Sequence, residues 1–214
     1  HKADQEKSKP AAATLTAAAS ATASATATAI NFVGSTSGGS NNTVTLYGGS
    51  TLLGGISFNK GNTLETLSFN GLSNSNFNNA VTGLNIINAT NGANVVMSSA
   101  SGYELVSGKI SVDGTSSLAI SGVIQDQVAP TAAASSIQKT GAGTLALSGA
   151  NTYSGGTTVS AGTLSGNATS IQGSIVNNGT VQFSQSGSGT YSGTMSGSGN
   201  LTQVGNGVLN LTGP

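Results

Sequence analysis

The 214-residue chain has no cysteine and no arginine, and its one histidine is residue 1. Without cysteine there is no disulfide, no thiol nucleophile and no thiolate metal ligand. It also fits export through an oxidising compartment, where a stray thiol would bring nothing. With His1 alone at the terminus, a serine has no imidazole base, and metal binding through His or Cys is excluded by counting. Neither a G-x-S-x-G elbow nor a Gly-Asp-Ser-Gly motif is present. Without arginine, and with only 6% charged residues against about 25% in ordinary soluble domains, the chain lacks the clustered cations that hold nucleic acid. The same shortage removes the basic amphipathic face of a membrane-surface helix. No apolar run reaches the roughly 18 residues of a membrane-spanning helix, so no membrane insertion by this segment is expected. His1–Pro10 is polar and no apolar leader core follows. If the protein is exported, its leader is expected to have been removed.

Charge is also unevenly placed. Lys2, Asp4, Glu6, Lys7 and Lys9 crowd the first ten residues, which read as a solvated tail. Beyond them stand only Lys60, Lys109 and Lys139 against Glu65, Glu104, Asp113 and Asp126. What fills the chain instead is glycine, 32 residues of it, with Ser, Thr, Asn and short apolar runs. The runs alternate: NTVTLYGG (42–49), TLETLSFNG (63–71), ELVSGKISVDG (104–114), SLAISGVI (117–124), GTLALSG (143–149), GTVQFS (179–184) and GVLNLTG (207–213). Alternation over four to eight residues, closed by Gly, Asn or Asp, is the mark of strands. No 3.6-residue stripe separates them, so strand–helix–strand units are excluded.

Residues 1–30 form an Ala/Thr/Ser-rich tail before the strands. From Pro10 to Ala19 a short Ala-rich helix is expected. The next stretch alternates, with Ala21, Ala23, Ala25, Ala27 and Ala29 on one face and Ile30 and Phe32 following on the other. It reads either as a flexible linker or as a strand over 17–33. A strand there is expected to pair with an open edge of a neighbouring molecule, or else to cap its own chain.

From residue 31 to 214 the chain repeats. IQKTGAGTLALSG begins at Ile137 and LTQVGNGVLNLTG at Leu201. Aligned, Gly141, Gly143, Leu145, Leu147 and Gly149 match Gly205, Gly207, Leu209, Leu211 and Gly213. An offset of 64 positions is about three coils of a solenoid with 20–25 residues per coil. The expected fold is therefore all-β, a single parallel β-helix, with Leu145 and Leu209 pointing inward at equivalent positions. Gly serves turns of positive φ, and stacked Asn and Thr add ladders between coils.

Residues 139–164, KTGAGTLALSGANTYSGGTTVSAGTL, resemble the autotransporter-associated β-strand repeat of Gram-negative passenger domains and other large surface proteins. The elements that carry the likeness are Lys139-Thr140-Gly141, Gly143-Thr144-Leu145, Leu147-Ser148-Gly149, Asn151-Thr152-Tyr153, Gly155-Gly156-Thr157 and Gly162-Thr163-Leu164. The 201–213 segment resembles the start of a second copy. The resemblance implies a right-handed parallel β-helix at or beyond the outer cell surface. The family's C-terminal membrane barrel is not in this sequence.

Few residues offer chemistry. Lys109 and Asp113 stand four apart, which a strand would place on one face. They read as an acid–base pair or, more plainly, as a surface ion pair worth little. Asp113 and Asp126 are the acids left for calcium, but the Gly-Gly-x-Gly-x-Asp nonapeptide is absent. Asn41, Asn88, Asn167, Asn178, Asn200 and Asn210 begin N-x-S/T triplets, as chance supplies in so Asn- and Thr-rich a chain. Tyr47, Tyr103, Tyr153 and Tyr191 could stack on sugars, or pack against the neighbouring coil. No catalytic, cofactor or metal residue is assigned. Three functions follow: a non-enzymatic surface scaffold or adhesin facing a host or neighbouring cell, a subunit of a head-to-tail filament, and, least favoured, a polysaccharide-active enzyme. The ending at LNLTGP implies either a longer passenger or an end covered by another subunit.

Overall fold

The computed structural model describes residues 13–15, 20–23, 26–27, 30–32, 42–47, 51–52, 56–58, 65–105, 107–128 and 132–214. Among these every regular element is a strand. The chain winds as a β-solenoid, and each full coil visits up to three faces. The first face is a nine-stranded parallel sheet running from Ser20–Ala23 through Thr43–Tyr47, Thr66–Asn70, Ile86–Thr90, Gly108–Val112, Ile137–Thr140, Thr157–Val159 and Ile175–Asn177 to Met195–Ser196. The second is a seven-stranded parallel sheet from Ser75–Phe77 to Asn200–Val204. The third is broken. Ala13–Leu15, Ile30–Phe32, Ile56–Ser57 and Val81–Thr82 form one sheet, and Tyr103–Glu104 with Ile124–Gln125, then Gly189–Tyr191 with Leu209–Leu211, form two separate pairs.

Period-two alternation places every second residue inside. Val44, Leu67, Ile87, Ile110, Lys139 and Val159 stack as one inward column on the first face. Val95, Leu118, Leu145, Leu164 and Val181 do so on the second. All eleven are buried. A leucine in such a column is enclosed by the coils above and below, so Leu145→Ala is expected to cost about 2–5 kcal/mol in a denaturant titration.

The corner between the first two faces explains much of the glycine. Thr144, Thr163, Thr180 and Asn200 are stacked register partners, so Gly143, Gly162, Gly179 and Gly199 lie directly above one another. A Cβ on Gly179 would lie 2.7 Å from the Gly162 carbonyl oxygen. Only a residue without a side chain lets two coils meet there.

The repeat register differs from the one expected. Leu145 is in register with Leu164, Val181 and then Leu201, not with Leu209. Leu209 lies on the third face opposite Gly189, partly buried against the core. The reason is coil length: three of these short coils fall short of the 64-residue offset. The phrase of turn and strand is thus reused one corner further round. Gly141–Gly143 turns the chain from first face to second, and Gly205–Gly207 turns it from second to third.

The N-terminal stretch also differs. Ala13–Leu15 is a strand, not part of a helix. Residues 17–33 are not one strand. Ser20–Ala23, Thr26–Ala27 and Ile30–Phe32 are separate strands, each parallel to the next coil of the same chain, at Thr43–Tyr47, Thr51–Leu52 and Ile56–Ser57. This places Ala21, Ala23, Ala27, Ile30 and Phe32 in the solenoid's own ladders. Ala25 and Ala29 lie outside the described residues.

Candidate functional site

The densest set of buried polar side chains lies in residues 137–172, beside the corner glycines. Lys139 occupies an inward position between Ile110 and Val159. Its side chain is buried and its Nζ donates to the carbonyl oxygens of Thr140 (2.7 Å), Gly141 (2.7 Å) and Ala161 (3.2 Å). The first two belong to its own corner and the third to the corner of the next coil. The ammonium is thus a clamp between successive corners. Burial pushes Lys139 down from 10.5 to about 8.

Asn151 stands where the third face has no strand. Its Oδ1 accepts the Ile124 amide proton (2.8 Å), and its Nδ2 donates to the Ser170 carbonyl (2.6 Å). Ile124 lies one coil before it and Ser170 one coil after. The side-chain amide therefore does what a peptide group does in a parallel ladder, and carries the hydrogen bonding across a break in the sheet. Tyr153 is buried beside it. Its hydroxyl accepts the Gln172 amide proton (3.0 Å) and shares a hydrogen bond with Thr157 Oγ1 (2.8 Å). Burial raises the Tyr153 phenol above its ordinary range.

The acidic residues are held in turns. Asp113 Oδ2 accepts the Asn91 amide proton (2.7 Å), and Oδ1 accepts from the amide and hydroxyl of Thr115 (3.1 and 2.8 Å). The Ser116 hydroxyl, followed by these donors, holds its carboxyl down at about 2. Both oxygens are thus engaged at the corner, while Lys109 lies exposed on the first face between Ile86 and Gln138. Asp126 accepts the amide protons of Ser135 (2.8 Å) and Ser154 (2.9 Å), and Ser154 chiefly lowers its pKa. Among the described residues, no three His, Cys, Asp or Glu converge on a point that would hold a metal. Glu65 is buried, with Oε1 and Oε2 accepting the side-chain and backbone amides of Asn42 (2.9 and 3.1 Å).

Of the tyrosines, Tyr103, Tyr153 and Tyr191 are buried and only Tyr47 is exposed. Tyr103 accepts the Ser99 amide proton (3.0 Å), and Tyr191 donates to the Gly173 carbonyl. These three pack between coils and are not offered to a sugar. Asn167 uses its Oδ1 to hold the amides of Thr169 and Ser170 (both 2.9 Å), so this triplet serves its own turn.

Compared with known families, residues 137–165 match the model of the passenger-associated-transport-repeat. Residues 137–165 are thus similar to a passenger repeat. That segment and the β-solenoid together fit an autotransporter passenger-type repeat protein. No curated protein matches the chain, and no solved structure does. The passenger repeat contains the features above almost entire: the Lys139 clamp, the glycine corner at 141–143, Leu145 and Leu147 inward, Asn151 and Tyr153 across the broken face, and Gly162-Thr163-Leu164 opening the next coil's second face. Sequence reasoning missed the roles of Lys139 and Asn151. The signal was available at Lys139, a single charge at an inward position of an alternating run.

Two expected results test these roles. Lys139→Met should destabilise the fold by about 1–3 kcal/mol in urea titration, because three corner carbonyls lose their donor. The pH dependence has a definite sign. The folded-state pKa lies below the unfolded value, so between about 8 and 10.5 the unfolded chain binds more protons. The wild type should therefore gain stability relative to Lys139→Met as pH rises through that window. Tyr153→Phe should cost about 1–3 kcal/mol, since Gln172 N–H and Thr157 Oγ1 lose a buried partner.

Proposed function

We infer that the chain is a non-catalytic extracellular scaffold, part of a passenger-type solenoid that presents its neutral outer faces to a host or neighbouring cell. The observation that carries this reading is what the passenger repeat does with its polar side chains. Lys139, Asn151 and Tyr153 turn inward or across coils and complete backbone hydrogen bonding, and Thr157 braces the Tyr153 hydroxyl. Asp113 and Asp126 likewise fasten turns. Such a segment builds length and stiffness. Outward it shows Thr144, Ala146, Thr163 and Ser165 on the second face, without charge. A neutral hydroxyl-bearing surface resists nonspecific ionic contacts while leaving hydrogen-bonding groups open to a polar partner.

The test is to join the chain to an outer-membrane barrel, express it in a Gram-negative host, and probe intact cells. Antibody labelling of the solenoid from outside, increased cell–cell or cell–surface attachment, and no turnover of polysaccharides, peptides or esters are expected. Retention inside the cell, no gain in attachment, or a turnover abolished by Lys109→Ala or Asp113→Asn, would overturn the reading.

A further inference from the structure

A groove of about 290 Å³ lies where the third face passes into the first. It runs along the solenoid axis between two columns of outward residues. Lys109, Gln138 and Thr158 are register partners on three successive strands and form one column. Two positions earlier in each coil, Ser107, Ser136 and Gly156 form the other. Between the columns Gly108, Ile137 and Thr157 are buried, so the floor is backbone. Three coils stacked about 4.8 Å apart give the groove a length of about 10 Å. Gly156 has φ +76°, where an L side chain is strained, so the second column ends without a side chain and the groove stays open there.

What sets this groove apart is that its polar side chains are not spent on the fold. Lys139, Asn151 and Tyr153 complete backbone hydrogen bonding, whereas the side chains of Ser107, Lys109, Ser136, Gln138 and Thr158 hold no partner among the described residues. Lys109 is also the single exposed cation among those residues, since Lys139 is buried. No acid lines the groove to neutralise it. Asp126 is taken up by the amides of Ser135 and Ser154, and Glu104 lies on the third face opposite Gln125. The groove thus offers one ammonium, one carboxamide and three hydroxyls.

We propose that this groove binds a uronate residue of an acidic polysaccharide, a partner class that rests on the extracellular presentation inferred above. Hydroxyls and a carboxamide both donate and accept, as the hydroxyls of a sugar ring do, so the two sets are complementary. Lys109 and Gln138 sit on adjacent strands about 4.8 Å apart, so an ammonium and an amide can meet the two oxygens of one carboxylate. A phosphate ester carries nearly two charges and calls for more than one cation. An ion pair at an exposed lysine is worth little by itself. Binding therefore needs the carboxylate and the ring together, and neither alone suffices.

The probe is the methyl glycoside of glucuronic acid, titrated into the whole chain and followed by heteronuclear NMR. Its methyl ester, the sulfate ester of methyl glucoside and sodium acetate are titrated in parallel. The glucuronoside should shift the backbone amides of Ser136, Gln138, Gly156 and Thr158. The ester should bind at least about tenfold more weakly, the size of a hydrogen bond to a charged group, and acetate should shift none of them at equal concentration. Lys109→Gln should weaken the glucuronoside by a similar factor, about tenfold, and leave the thermal melt unchanged because the side chain is exposed. Shifts centred elsewhere, no shift at all, equal binding of the ester or of acetate, tighter binding of the sulfate, or an unmoved affinity in Lys109→Gln would overturn the proposal. The titration is read on the isolated chain, so its failure is distinct from a failure of surface display.

Discussion

Asn151→Leu is expected to lose about 2–5 kcal/mol of stability, more than any surface change in the chain. Leucine has the same branched outline and suits a buried position, so simple hydrophobicity would rank this change as harmless. The geometry says otherwise. The Ile124 amide and the Ser170 carbonyl face Asn151 from opposite coils at 2.8 and 2.6 Å. With the amide gone, a buried donor and a buried acceptor are both orphaned, each at a cost of about 1–3 kcal/mol. Asn151→Asp separates the two halves of the role. It keeps an acceptor for Ile124 but turns a carboxylate oxygen toward the Ser170 carbonyl, so it too should destabilise, and more so above the carboxyl pKa. Thr152→Ala, at the exposed neighbour, is the control and should stay within about 0.5 kcal/mol. Urea titration gives the magnitudes, and hydrogen exchange at the Ile124 amide locates the effect. Protection of that amide unchanged in Asn151→Leu would show that the bridge does not hold the coils.

The alternating runs made the class of fold legible. Segments such as GTLALSG and GTVQFS have no period but two, and a chain so short of charge has few ways to use them other than stacking. The passenger repeat was legible because its turns need glycine at fixed places, and fixed glycines leave a pattern. The register was harder. Identical letters at Gly141–Leu147 and Gly205–Leu211 suggested equal places in the coil, yet a turn followed by an alternating strand fits any corner of a solenoid. The better guide was the recurrence of Gly-Thr-Leu at 143 and 162, Gly-Thr-Val at 179 and Gly-Asn-Leu at 199, which follows one corner through four coils. The Ala/Thr stretch near the N-terminus misled for a related reason. Alternation fixes a strand's faces but says nothing of where the chain bends, and Ser20–Ala23 and Thr26–Ala27 lie on different sheets. Spacing marks Lys139 as an inward charge but not its acceptor at Ala161, and the role of Asn151 could not be read from spacing, because its partners at Ile124 and Ser170 are brought close by neighbouring coils.

The corner column gives the second large effect. Gly162→Ala adds one methyl group at φ +68°, where an L-residue is strained by roughly 1–2 kcal/mol. The methyl would also point at the carbonyl oxygens of Gly141 and Gly143 in the coil below. Those are backbone atoms, and the Gly141 oxygen is already fixed by Lys139. Neither can swing aside as the end of a side chain could. Overpacking of this kind adds about 1–3 kcal/mol, so a total of about 2–5 kcal/mol is expected. Gly114→Ala is the matched control. There the added methyl meets only Ala142 Cβ at 3.6 Å, an ordinary contact, on an exposed residue whose φ is not positive. That change should be neutral or stabilise by up to about 1 kcal/mol through the unfolded chain. The damage at Gly162 should also be local first. Thr163 N donates to Gly143 O (3.2 Å) and Thr180 N to Gly162 O (2.9 Å), the two bonds that tie this corner to its neighbours. In a solenoid each coil leans only on the next, so these amides should exchange faster while Leu118 and Val95, further along the column, stay protected. Equal melting temperatures for Gly162→Ala and Gly114→Ala would mean that the corner has slack, and that the stacked glycines are not what sets the distance between coils.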